Sequence, residues 1–204
     1  MINKINEHIY EFLALYAQRP SVRNLNGLEY EGSLVLWTVL RSLPEVSTII
    51  ESGVSIGVSS WLIEQTRPDC RLIHIEPNAA SIQFKTRGLY LTEDFTHMTK
   101  ETLGHGPAFA FFDDHQDILP RLEKCLELGI EHTLWDDNWD CPRSDHMSQR
   151  LYNKFNLATD IKARWEKVKS KFAETFEFTH VGDLHFSSQP YNPHETLTYI
   201  RLEK

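Results

Sequence analysis

Ile49-Ile50-Glu51-Ser52-Gly53-Val54-Ser55-Ile56-Gly57-Val58-Ser59-Ser60 runs from apolar residues through an acid and two glycines into a serine-led apolar stretch. It reads as a buried strand, a tight turn and the start of a helix. Glycines at 53 and 57 remove side chains where the backbone must bend and where a ligand can approach closely, and the helix beyond offers unpaired N–H groups. The turn therefore has the form of a cofactor-binding turn. Its spacing is Gly-x-x-x-Gly, so the dinucleotide pattern Gly-x-Gly-x-x-Gly is absent. Twenty-five positions after Glu51, the run Leu72-Ile73-His74-Ile75-Glu76 again ends in an acid, placed where a carboxylate can accept ribose hydroxyls. Glu51 and Glu76 together constrain what such a turn can hold.

Outward from this unit, strand-like and helix-like stretches alternate. That pattern predicts an α/β, Rossmann-like fold: a mostly parallel twisted sheet with helices on both faces. Strands are expected over 47–51, 72–76, 88–91, 108–112 and 132–135, and helices over 59–66, 79–86 and 118–128, with Gly129 at a helix C-terminus. Before them, helical spacing over 3–18 and 32–43 predicts an N-terminal helical cap, its second helix packed on the sheet edge. After them come a polar loop over 140–148, a weakly periodic stretch over 149–155, a helix over 160–172, and strands over 176–181 and 196–202 as an antiparallel pair at the sheet edge. One domain spanning 1–204 is expected, made of the cap (1–44), a cofactor-binding core (45–140) and a closing loop, helix and edge strands (141–204).

Chemistry is suggested by two aspartate pairs. Phe109-Ala110-Phe111-Phe112-Asp113-Asp114-His115 and His132-Thr133-Leu134-Trp135-Asp136-Asp137-Asn138 both read as buried strands that stop at carboxylates. Functional groups of parallel sheets gather beyond the carboxyl ends of the strands, so Asp114, Asp137 and Asn138 can converge on one cation. Two carboxylates and an amide oxygen are hard donors that suit magnesium or calcium. Strand alternation sends one carboxylate of each pair into the site and leaves Asp113 or Asp136 as the open alternative to its neighbour.

The composition excludes several classes. With 21 basic and 29 acidic residues the net charge is −8, against a sequence-independent nucleic-acid binder and in favour of a small-molecule substrate. Three cysteines without paired spacing predict neither a disulfide framework nor a zinc site, and fit a cytoplasmic protein. No apolar stretch approaches the ~18 residues of a membrane span. Oligomeric state stays open, a homo-oligomer included.

Glu51-Ser52-Gly53, Gly57, Ser59 and Ile73-His74-Ile75-Glu76 resemble the first two motifs of class I S-adenosylmethionine-dependent methyltransferases, over roughly residues 47–140. Within that superfamily, Asp114-His115 followed by a helix, a glycine, a strand and Asp137-Asn138 is similar to the divalent-metal-dependent O-methyltransferases of the catechol O-methyltransferase type. The resemblance implies S-adenosylmethionine as cofactor, with Gly53 under its methionine portion, Ser59 shaping the same end of the pocket, Glu76 on the ribose and His115 near the adenine. It also implies magnesium held by Asp114, Asp137 and Asn138 against substrate oxygens. A fainter likeness, carried by Phe-Phe-Asp-Asp-His-Gln and Asp-Asp-Asn-aromatic, is to the macrocin O-methyltransferase and cephalosporin-hydroxylase-like branch, which implies a sugar or natural-product hydroxyl as acceptor. The lysine that serves catechol-type enzymes as base is missing from His115-Gln116-Asp117-Ile118, which leaves His115, Asp117, Asp145 or His146 for that role. Alternatives on the same fold are a metal-dependent hydroxylase or hydrolase-like enzyme and a non-catalytic binding module.

Overall fold

Short apolar runs rich in Ile, Phe and Leu can be buried on both faces at once, and they form the centre of the sheet. The computed structural model describes residues 5–21, 28, 30–136, 148–178 and 197–203. Its helices are α1 (Ile5–Tyr16), α2 (Tyr30–Arg41), α3 (Val58–Thr66), α4 (Lys100–Leu103), α5 (Ile118–Leu128), α6 (Gln149–Lys154) and α7 (Thr159–Lys169). Its strands are β1 (Thr48–Ser52), β2 (Arg71–Ile75), β3 (Leu89–Leu91), β4 (Ala108–Phe112), β5 (His132–Trp135), β6 (Phe172–Phe178) and β7 (Leu197–Leu202). They join in one sheet of order β3-β2-β1-β4-β5-β7-β6, parallel except where β7 pairs antiparallel with β5 and β6. The expected Rossmann-like sheet with an antiparallel edge is thus observed. Among the described residues, no helix is long and apolar enough to cross a membrane.

Alternation along the strands divides the core in two. Ile49, Leu72, Phe109, Phe111, Leu134 and Tyr199 face α1, α2 and α3, while Ile50, Ile73, Ala110, Phe112, Trp135 and Ile200 face α5 and α7. The expected cap is therefore corrected in one respect: α2 lies on a sheet face, not at the edge. Its residues Gly32 to Leu40 are all buried, because the sheet takes one side and Phe12 of α1 packs on Trp37 from the other. Arg67, itself buried, donates to the carbonyls of Leu43 (2.7 Å) and Val46 (2.6 Å) and so satisfies acceptors past the end of α2. On the opposite face, Trp165 of α7 is 1% exposed and stacks on Tyr152 of α6, fastening both late helices over β5 and β7.

Three local expectations fail for identifiable reasons. The helix expected over 79–86 is a single 3-10 turn, Ala79–Ser81. The N–H groups of Gln83 and Phe84 donate to Ile56 O, so the segment pairs with the glycine turn after β1 and cannot close i to i−4 bonds. The stretch read as a linker before β4 contains a second 3-10 turn, Phe95–His97, and the short α4, both capped by side chains: Asp94 receives Thr96 N–H and Thr99 receives Thr102 N–H. Strand β6 begins at Phe172, where a helix end was expected, because the chain turns at Ser170 and Lys171.

Candidate functional site

The strand order reverses between β1 and β4, with β2 and β3 on one side and β5 on the other, and crevices in α/β sheets form at such a switch point. A cavity of about 590 Å³ opens there, over the carboxyl ends of β1, β2 and β4. Three turns build it: Ser52, Gly53 and Ser55 after β1, Glu76 to Asn78 after β2, and Asp113 to Gln116 after β4, with Asp94 and Arg121 at the side. A larger cavity of about 720 Å³ lies at the other end of the sheet, between α5 and α7, lined by Leu126, Ile130, Val168 and Leu202 with Lys and Glu at the rim. The smaller one carries the candidate chemistry, because strand-end carboxylates and the glycine turn meet in it.

Gly53 has φ +95, and a Cβ there would lie 2.1 Å from the carbonyl oxygen of Asp113. The turn after β1 is thus pressed against the end of β4, and this backbone contact alone requires glycine. Gly57, at φ +98, is required by the same logic, since its Cβ would meet the Phe84 carbonyl oxygen at 2.0 Å. Left-handed backbone costs a non-glycine residue about 1–3 kcal/mol before any clash is counted. Gly53→Ala is expected to lose at least that much in urea denaturation and to displace Asp113; a loss below about 0.5 kcal/mol would be the ordinary surface result and would contradict the contact.

Glu76 sits at the head of the β2 turn. One carboxylate oxygen accepts from the N–H groups of Ser55 (2.8 Å) and Val54 (3.2 Å), and the other from Asn78 N–H (2.9 Å). The group ties two turns together while remaining partly open to the cavity, and Oε1, which receives one N–H, keeps a lone pair for a further donor. His115, with φ +50, is exposed and lines the same cavity.

Asp114 meets a partner set that the sequence reading did not anticipate. Its carboxylate accepts from Ser52 Oγ at 2.5 Å, from Arg121 Nε at 2.9 Å and from Gln116 N–H at 3.3 Å. Arg121 Nη2 lies 2.8 Å from Asp114 Oδ2 and 2.7 Å from Asp94 Oδ2. Burial pushes the Asp94 carboxyl up, but hydrogen bonds from the Thr96 hydroxyl and N–H and the Arg121 charge outweigh it, so the group ends below the usual carboxylate range. Alternation predicted one carboxylate of the first pair in the site, whereas both Asp113 and Asp114 line it: β4 ends at Phe112, and strand geometry no longer holds beyond it.

Of the sequence-predicted residues, the structure brings together Gly53, Glu76, Asp114 and His115. Glu51 is placed elsewhere, a correction: it is 0% exposed behind the turn, where its carboxyl accepts from Ser60 Oγ and faces His74 Nδ1 at 2.7 Å. Strand alternation turns it away from the cavity that Ser52, next to it, lines. Gly57 and Ser59 lie outside the lining as well, Gly57 against Phe84 and Ser59 buried in the first turn of α3. Asp137 and Asn138, and with them Asp145 and His146, lie outside the described residues. Asp94 and Arg121 were missed. Arg121 had a signal: it occupies an apolar-face position of α5, among Ile118, Leu122 and Cys125, where an arginine is rarely found unless paired.

No family model matches the chain, and no curated protein matches it. Solved structures do. An O-methyltransferase from Bacillus cereus, in complex with SAH, is 13% identical, with a TM-score of 0.56 over 98% of this chain and 90% of that one. The O-methyltransferase TomG from Streptomyces achromogenes, solved with SAM, is 15% identical, with a TM-score of 0.55 over 100% and 89% of the two chains. The N-methyltransferase NodS from Bradyrhizobium japonicum, with S-adenosyl-l-homocysteine, is 13% identical, with a TM-score of 0.53 over 92% and 93%. The fold of this chain is therefore the Rossmann-like fold of these methyltransferase structures. Both O- and N-methyltransferases share it, so the fold does not choose the acceptor atom.

Proposed function

We propose that the chain is an S-adenosylmethionine-dependent methyltransferase acting on a hydroxyl of a small molecule, of the sugar or natural-product kind. The observation that carries this reading is the cavity at the switch point, with Glu76 braced at its edge. A volume of about 590 Å³ is in the range of small-molecule sites. Glu76, Asp94, Asp113 and Asp114 surround it, with Arg121 the one guanidinium among the described residues of its lining, an acidic balance that favours a ligand carrying a cationic sulfonium. S-adenosylmethionine, when bound, supplies a methyl group on that sulfonium.

The residues of the chain divide the remaining work. Glu76 accepts hydrogen bonds from ribose hydroxyls, and the bare backbone at Gly53 permits close approach beside it. His115, exposed in the same cavity, is assigned as the general base that would take the proton of the acceptor hydroxyl.

Magnesium at Asp114 is the part of the expectation that the described residues do not fit. The Asp114 carboxylate is taken up by Ser52, Gln116 N–H and a guanidinium, and a divalent ion there would sit against the positive charge of Arg121. No step is therefore routed through a metal, and Asp114 is read as part of the wall of the site. Calorimetry with S-adenosylmethionine and S-adenosylhomocysteine tests the reading. Binding of both, with methyl transfer to some hydroxylated acceptor, is expected; absence of binding to either nucleoside would sink it, and binding without transfer to any acceptor would reduce it to a binding module.

A further inference from the structure

The chain has placed a cation of its own at the end of β4. We propose that the Arg121 guanidinium takes the place of a divalent metal ion at Asp114, bridging the Asp94 and Asp114 carboxylates. One nitrogen, Nη2, lies within 2.8 Å of carboxylate oxygens from both acids, which is how a bridging ion is held. Nε adds a second bond to Asp114, so the guanidinium grips that carboxylate through a fork that a point charge lacks.

The surroundings keep this arrangement in place. Arg121 is 4% exposed, and a guanidinium so far from water is stable only when paired. Ser52 Oγ fixes Asp114 from the β1 side, and the Thr96 hydroxyl and N–H fix Asp94 from the turn before α4. Each acid is thus oriented toward Arg121 by a neighbour from a different element. Arg121 is a positioning residue in this account: it holds Asp114, and through it the turn that carries His115. The inference rests on the reading of the cavity as a cofactor site only for its use, since its test involves metal alone.

The test is titration of the EDTA-stripped full chain with manganese chloride, free Mn²⁺ being followed by electron paramagnetic resonance. Wild-type protein is expected to retain no Mn²⁺ that Asp114→Asn loses. Arg121→Gln leaves two oriented carboxylates without their cation and is expected to gain about one equivalent of Mn²⁺, bound at least ~10-fold more tightly than by the wild type. Arg121→Lys keeps the positive charge and is expected to gain none, a difference that a merely structural role would not produce. The proposal is overturned if the wild type binds an equivalent of Mn²⁺ that Asp114→Asn releases, or if folded Arg121→Gln binds no more than wild type. Should Arg121→Gln fail to fold, the comparison of wild type with Asp114→Asn decides. Failure of S-adenosylhomocysteine to bind would leave this result intact and strike only the cofactor reading.

Discussion

Glu76→Ala is expected to weaken binding of S-adenosylhomocysteine by about 100-fold, the equivalent of about 2.7 kcal/mol. Hydrogen bonds to a charged acceptor contribute about 1.5–3 kcal/mol each, and the ligand loses those to its ribose. The free protein loses something too, because the Glu76 carboxylate receives three main-chain N–H groups and so joins the turns after β1 and β2. Glu76→Gln separates the two contributions. Its amide keeps one oxygen but turns an NH2 toward N–H donors, so it is expected to fall between wild type and alanine. Calorimetry reads both variants, with circular dichroism to check that the fold is kept. An affinity within about threefold of wild type for Glu76→Ala would remove Glu76 from the binding site, since a single lost bond of this kind already exceeds that.

The second large effect lies behind the site. His74→Phe is expected to destabilise the protein by about 3 kcal/mol or more, because removing one member of a buried pair strands the other. His74 is 1% exposed and Glu51 0%, their contact is 2.7 Å, and Glu51 Oε1 is buried with no hydrogen-bond partner among the described residues, so the carboxyl has little to fall back on besides Ser60. Phenylalanine preserves the stacking of ring 74 on Tyr90 and therefore isolates the polar loss. The double variant Glu51→Leu, His74→Phe is expected to recover part of the stability, since the buried charge is gone and only the Ser60 hydroxyl loses its partner in the core. Urea denaturation of the three proteins checks this. Equal stability of wild type and His74→Phe would mean that the pair contributes nothing.

These two acids show how far the sequence could be read. Glu51 and Glu76 look alike as strand-terminal acids after apolar runs, yet one is buried in the core and the other lines the cavity. The difference is two residues of register: Glu51, level with His74, is still inside β1, pointing into the layer beneath, while Glu76 stands just past β2, free to turn toward the cavity. Apolar periodicity places strands well and their last residues poorly. Asp113 and Asp114 make the same point, since alternation was applied past the place where the strand stops.

Arg121 was illegible for another reason. Its importance comes from Asp94 and Asp114, 27 and 7 positions away, which meet it only after β4 and the turn before α4 have docked. Local pattern reports such a residue as an oddity on an apolar helix face and gives no partner. Resemblance places a metal at Asp114, a carboxylate that Arg121 of α5 pairs with, and nothing in the local pattern announces that pairing. The sequence marks Gly53 and Gly57 as places where the backbone bends and a ligand approaches; the backbone carbonyls of Asp113 and Phe84 account for both glycines without any ligand.

A crystal structure of the chain grown with S-adenosylhomocysteine tests the central claim most directly. The ligand is expected in the cavity over the ends of β1, β2 and β4, its ribose hydroxyls on the Glu76 carboxylate and Arg121 still joined to Asp114. Ligand density elsewhere on the molecule, or a cavity that stays empty at saturating concentration, would contradict the account.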